Sequence, residues 1–377
     1  MAMAAGKSLM AANPLLRLHE FGQSVWLDYI QRDLIENGGL ERLIREDGLA
    51  GVTSNPAIFE KAIANGHEYQ APIRELARRG LTAAALYEAL ALEDVARTAD
   101  LFRPLYEETQ GGDGFVSIEV SPHLARDTGA TIAEAQRLWA ALGRPNIMIK
   151  VPATREGLPA IRTLIAAGMN VNVTLLFSVA RYREVAEAWM AGLEDRARSG
   201  APSGRVASVA SFFLSRIDTL VDKRLDELGS GEAQMLRGQA AVVSARLAYQ
   251  EYKRIVAEAR WQALARQGAR AQRLLWASTG TKDPAYSDSM YVEPLIGRET
   301  VNTLTPETLA AYRDHGDPAA RLEDGIEAAR SLPLALRTLG IDLDEVARQL
   351  EEEGIRKFVE PYDKLLATLA TNKIQRA

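Results

Sequence analysis

The chain has 377 residues, no cysteine and a net charge of −5. The missing cysteine excludes disulfides, a thiolate nucleophile and a zinc–thiolate site, and it fits a reducing compartment. The acidic balance gives no general attraction to nucleic acid or anionic membrane.

Short apolar, β-rich runs alternate with longer helical stretches. Strands are expected at Ser24–Asp28, Gly51–Asn55, Phe115–Ser121, Ile147–Val151, Val171–Phe177, Val206–Phe213 and Arg273–Thr279, with an eighth, less clear, near Thr300–Leu304. Helical segments between them include Thr82–Phe102, Thr131–Leu142, Ser178–Arg198 and Ala233–Arg266. Repeated β–α alternation predicts a parallel sheet with crossover helices, and about eight units favour a closed (β/α)8 barrel over an open sheet. No GxGxxG turn follows an early strand, so a dinucleotide fold lacks support. One barrel domain is expected over 1–377, with a helical extension over 1–20 and C-terminal helices over 342–377, the latter broken at Pro361. The N-terminal stretch, with Lys7 and then Arg17, His19 and Glu20, does not read as a secretory signal. No run of about 18 apolar residues predicts a membrane span, and a cytoplasmic location is expected.

Strand parity locates the chemistry. Side chains alternate, so residues two apart share a face. One parity is aliphatic, as suits packing against outer helices. The other carries Asp28, Asn55, Glu119, Lys150, Asn172, Thr174 and Ser211 toward the C-terminal strand ends, where barrel active sites are built. Burying so many polar groups is costly unless they satisfy one another or a ligand. Lys150, in Asn146-Ile-Met-Ile-Lys-Val-Pro152, stands out because lysine is rarely buried without a partner or a task. Burial disfavours an ammonium and so exposes the amine that a Schiff base requires. Alone, a strand-end lysine far more often snorkels to water or pairs with a carboxylate. Asp28 and Glu119 are acid–base candidates, or partners in a structural ion pair with Lys150.

Two loops suit an anion. Arg216 follows Ser211 by five residues near a helix start, where free N–H groups and the dipole favour phosphate. Ser278-Thr-Gly-Thr-Lys282 is a second small-residue loop with a cation. The bland alternatives are N-capping by Ser215 and a solvent-facing Lys282. No metal is implied, because His19, His67, His123 and His315 are scattered. His123 lies near Glu119, on a loop at the rim.

At these residues the sequence resembles the transaldolases, longer bacterial subgroup. The matching segments are QSVWLDYI (23–30), GVTSNPAIF (51–59), SIEVSP (117–122), NIMIKVPAT (146–154), NVNVTLLFS (170–178), SVASFFLSRID (208–218) and LLWASTGTKDPAYSD (274–288), in family order along nearly the whole chain. The resemblance implies a cofactor-free class I enzyme of the non-oxidative pentose phosphate pathway, monomer or homodimer. It would move a dihydroxyacetone unit from sedoheptulose 7-phosphate or fructose 6-phosphate to glyceraldehyde 3-phosphate or erythrose 4-phosphate. It implies Lys150 as Schiff-base nucleophile and Asp28 at the hydroxyl proton. Glu119 and Thr174 would hold a water, Asn55, Asn172 and Ser211 the dihydroxyacetone hydroxyls, and Arg216 the phosphate. Many members carry an Arg two residues after the match of Ser278; here Gly280 stands there, and Lys282 is inferred to share the phosphate with Ser278. The alternatives are a fructose 6-phosphate aldolase and a non-catalytic sugar-phosphate-binding barrel.

Overall fold

The computed structural model describes residues 13–374. Eight parallel strands close into a barrel in chain order: β1 Gln23–Leu27, β2 Leu49–Thr53, β3 Phe115–Glu119, β4 Ile147–Pro152, β5 Val171–Leu176, β6 Ser208–Phe213, β7 Arg273–Ala277 and β8 Thr300–Leu304. Helices connect the strands, and the expected (β/α)8 barrel is the fold. Five of the expected strands run past the ladder at their C-terminal ends. Asp28, Asn55, Ser121, Phe177 and Ser278 lie just beyond it, because there the chain turns into the mouth loops.

Outward-facing Val25, Val116, Ile118, Ile149, Val151, Val173, Phe212 and Trp276 are buried under the helices. The Phe212 and Trp276 rings meet edge to face at 6.5 Å. The inner face is stacked in layers. At the floor, the Arg273 guanidinium donates to Ser24 Oγ at 2.8 Å and Asp113 Oδ1 at 2.9 Å. Ser24 Oγ donates to Asp113 Oδ2 at 2.6 Å and Trp26 Nε1 to Oδ1 at 3.2 Å. The Trp26 indole needs the room left by Gly51, whose added Cβ would fall 2.6 Å from the ring. These groups pair with one another at this end, and the mouth is at the opposite end.

Residues 1–12 of the expected N-terminal extension lie outside the described residues. Within them, Asn13 caps a short helix, Pro14–Leu18, by accepting from Leu15 N at 3.0 Å. The expected helix Ala233–Arg266 is three helices, Gly231–Met235, Ala240–Ala257 and Ala259–Arg266. It is interrupted where Gly238 takes φ +69° and where Glu258 is extended.

The expected break at Pro361 is absent: one helix runs Leu343–Ile374 with Pro361 inside it. A proline there removes a backbone hydrogen bond and costs about 3 kcal/mol. Tertiary anchoring on both sides overrides that cost. Leu350, Phe358, Leu365 and Leu369 are buried, Lys364 pairs with Glu60 at 2.6 Å, and Asp363 pairs with His123 at 2.7 Å. This C-terminal helix packs on the helices Pro56–Asn65, Ala83–Glu108 and Ser215–Leu228 and on β5, so it crosses the barrel mouth. Among the described residues no helix is long and apolar enough to cross a membrane.

Arg273→Ala should leave the part-buried Asp113 carboxylate with only the Ser24 and Trp26 donors and cost about 1.5–3 kcal/mol, the range for a hydrogen bond to a charged group. Urea unfolding of the variant against the parent measures it; a loss under about 0.5 kcal/mol would mean that the floor network contributes no net stability.

Candidate functional site

The sheet register brings the central residues side by side. Glu119 on β3 pairs with Lys150 on β4, and Lys150 with Asn172 on β5. In a parallel sheet, paired residues point to the same face, so all three enter the barrel. Lys150 is 4% exposed. Its Nζ donates to the Ser54 carbonyl at 3.0 Å and lies 3.6 Å from Glu119 Oε2. The latter is an ion-pair distance, too long for a hydrogen bond. Burial pushes the Glu119 carboxyl up to about 7, against the pull of Lys150; its side chain is 3% exposed. Desolvation therefore outweighs the adjacent cation, and the group can hold or release a proton near neutrality.

Both Glu119 oxygens and Thr174 Oγ1 are buried without a hydrogen-bond partner. Such atoms in a native interior point to a ligand or water as partner. Thr174 opens a bulge: pairing of β5 with β6 is regular to Val173–Ala210 and resumes at Leu176–Phe212. Leu175 is held there at φ +61°. A bulky residue in the left-handed region is strained, and bulges and strain concentrate where a strand re-aims side chains at a site.

Deeper in the barrel, Ser211 Oγ donates to Asn172 Oδ1 at 2.7 Å and Asn172 Nδ2 donates to Ser117 Oγ at 3.1 Å. This chain fixes the amide orientation and leaves Asn172 one N–H and Ser211 lone pairs for a ligand. On the other side, Asp28 follows β1 directly, its N–H donating to Leu304 O at 2.7 Å. Its Oδ1 accepts from Thr53 Oγ1 at 2.6 Å, and Thr53 in turn meets Thr303 Oγ1 at 3.0 Å. Asn55 has left the sheet. It caps the helix Pro56–Asn65, its Oδ1 accepting from Ile58 N at 3.0 Å, so only its amide N–H groups remain to offer.

Arg216 is the second residue of the helix Ser215–Leu228. Its guanidinium lies 5.3 Å from the Phe213 ring and 5.7 Å from the Phe358 ring. Nη1 is buried and has no protein acceptor. Burial lowers its pKa, opposed by the fields of Asp28 and Glu119. Ser215 does not cap this helix as the bland alternative had it. Leu214 occupies the cap position, and Ser215 Oγ pairs with Ser278 Oγ at 2.8 Å. Ser278, at φ +55°, is thus joined to Ser215, the residue before Arg216. Lys282 does not join this group through any contact among the described residues. It is exposed and lines a separate cavity of about 490 Å³ with Asp218, Asp222, Asp226, Arg237 and Asp283. His123 holds the C-terminal helix through Asp363 and stacks edge-on against Tyr362 at 5.8 Å.

Three contributors escape sequence reasoning. Thr53 shares the parity of Asn55 and was findable. The Ser54 carbonyl carries no side-chain signal. Phe358, whose ring lies 6.0 Å from Lys150 Nζ as well as near Arg216, reaches the mouth only through the tertiary path of the C-terminal helix. Chemically, the mouth combines a buried amine, a carboxyl poised near neutrality, a second carboxylate held by a hydroxyl pair, and an arginine with a free edge. Among the described residues no group of three His, Asp or Glu side chains is arranged to hold a metal ion.

Known proteins share this plan. The family model for transaldolase/fructose-6-phosphate aldolase matches residues 25–369. A transaldolase 2 of a Nostoc species is 49% identical over 371 residues, covering 96% of this chain and 97% of the relative. A transaldolase of Trichodesmium erythraeum is 48% identical over 96% of this chain and 97% of its own. One of Thiobacillus denitrificans is 49% identical over 92% and 97%. A match spanning barrel, mouth and C-terminal helix shows that the chain belongs to the transaldolase/fructose-6-phosphate aldolase family.

Proposed function

We propose that this chain is a transaldolase. It would transfer a dihydroxyacetone unit from sedoheptulose 7-phosphate or fructose 6-phosphate to glyceraldehyde 3-phosphate or erythrose 4-phosphate, in the non-oxidative pentose phosphate pathway of the cytoplasm. The observation that carries the reading is the buried Lys150 amine set against a carboxyl held near neutrality.

Position supports the following roles. The Lys150 amine adds to the ketose C2 carbonyl, the nitrogen losing a proton and the oxygen gaining one. Loss of water leaves an iminium. Glu119, which exchanges a proton at about 7, handles these transfers, with Thr174 sharing its water. Asp28, oriented by Thr53, takes the C4 hydroxyl proton as the C3–C4 bond breaks. The bond pair flows to the iminium nitrogen, releasing an aldose phosphate and leaving an enamine on Lys150. The acceptor aldehyde reverses each step, and water then frees the product. Asn172, Ser211 and Asn55 would hold the donor hydroxyls, and Arg216 with Ser278 the phosphate. Lys282 would act on the phosphate only from the rim. The lysine nitrogen is the electron sink, so no cofactor enters the scheme.

Borohydride reduction with fructose 6-phosphate should attach a three-carbon fragment at Lys150, and Lys150→Ala should abolish both labelling and transfer to erythrose 4-phosphate. A parent protein that remains unlabelled sinks the proposal. Free dihydroxyacetone at the same rate without acceptor would identify a fructose 6-phosphate aldolase instead. Asp28→Asn should lower kcat by about a hundredfold or more while leaving the imine trappable.

Glu119→Gln should erase the limb of the kcat/KM profile near pH 7. Its effect on stability has a fixed sign. The folded value is raised above the ordinary 4.5, so the contribution is full below about 4.5 and is lost as pH rises through about 7. Urea unfolding at pH 4.5 and 8 should therefore show Glu119→Gln gaining on the parent by about 2–3 kcal/mol at the higher pH; equal differences at the two pH values would contradict the burial of this carboxyl.

A further inference from the structure

The Arg216 guanidinium sits in the field of Asp28, Glu119 and, from the C-terminal helix, Glu353, yet among the described residues no carboxylate reaches ion-pair distance of it. A long arginine beside three acids would ordinarily fold onto one of them. What lies on it instead is aromatic: Phe213 at 5.3 Å and Phe358 at 5.7 Å. A guanidinium held against aromatic faces keeps its N–H edge available, and Nη1 is buried with no protein acceptor. Phe358 is itself 3% exposed and comes from the C-terminal helix, one turn after Gly354. That glycine lets the helix close down on the mouth. A Cβ there would sit 2.9 Å from Leu175 Cδ2 and 3.5 Å from Arg216 Nη1. The same Phe358 ring lies 6.0 Å from Lys150 Nζ, so one side chain roofs both the amine and the arginine.

We infer that Phe358 is a positioning residue for anion recognition: with Phe213 it clamps Arg216 away from Asp28 and Glu119, so that the guanidinium edge meets the phosphate of the donor. The inference rests on the proposed role of Arg216 in holding phosphate. It gives the C-terminal helix a task at the site. Without the ring, Arg216 would swing onto the acids, weakening phosphate binding and lowering the pKa of the carboxyl it reached.

The test uses the full chain and inorganic phosphate as probe, by titration calorimetry. Phe358→Leu should weaken phosphate about tenfold, whereas Phe358→Tyr, which keeps the ring face, should stay within about twofold of the parent. For the reaction, KM for fructose 6-phosphate should rise with kcat little changed, and kcat/KM for the phosphate-free ketose should hold. The limb near pH 7 should move down by about one unit as Arg216 approaches the carboxylates. Phe358→Met, closer to the ring in length and a good helix former, covers the case in which Phe358→Leu fails to fold. Phosphate affinity within twofold of the parent in the folded Leu or Met variant overturns the inference, as does equal loss on phosphorylated and phosphate-free donors. Borohydride trapping of the parent separates the two proposals. Absent labelling with phosphate affinity still lost in the variants sinks the transaldolase reading and supports the clamp. Normal labelling with unchanged phosphate affinity sinks the clamp alone.

Discussion

An ammonium and a carboxylate 3.6 Å apart attract by about 4–5 kcal/mol at an effective dielectric near 20. Removing each from water costs several kcal/mol. The terms nearly cancel, and the balance tips toward a neutral carboxyl, since burial holds Glu119 up to about 7 despite the lysine. The rest of the mouth depends on this near-cancellation. Lys150 is tethered to a backbone carbonyl, that of Ser54, which holds Nζ in place without adding a charge.

The same logic explains the two sides of the barrel interior. At the floor, Arg273, Asp113, Ser24 and Trp26 pair with one another. At the mouth, satisfaction is partial: Asn172, Ser211 and Ser117 lock one another in orientation, while Glu119, Thr174 and Arg216 retain bare polar atoms. A half-satisfied network is unfavourable for stability alone. The bare atoms belong to Glu119, Thr174 and Arg216 at the mouth, the end of the barrel that holds Lys150, and a ligand there would supply the missing partners.

Much of this was legible in the sequence because the strand period is two and parity survives small errors in strand ends. Glu119, Lys150 and Asn172 could be placed on one face without knowing the register, and the register then set them abreast. Asn55 shows the limit. Parity pointed it inward, but the strand ends at Thr53 and Asn55 spends its side-chain oxygen on a helix cap. The bulge at Leu175 has no sequence signature, because leucine is a poor choice for φ +61° and only the surrounding packing enforces it. Pro361 misled for the same reason: local propensity predicts a break, and burial on both sides of it prevails.

Phe358 lay furthest from view. An apolar residue on a long helix is expected to be buried, but nothing local says what it is buried against. Whether the ring meets other aliphatics or two cations depends on the crossing of the C-terminal helix over the mouth, which is fixed by contacts as distant as His123–Asp363, Lys364–Glu60 and the close approach at Gly354. Strand ends can supply a nucleophile and its acids, because eight strands converge on one axis. They cannot supply a lid over the mouth from within the barrel. A helix laid across the top can, and it adds an apolar surface that lowers the local dielectric around the very charges whose balance sets the chemistry. The C-terminal helix is thus part of the electrostatic setting of Lys150 and Glu119, although Phe358, whose ring lies 6.0 Å from Lys150 Nζ, carries no charge.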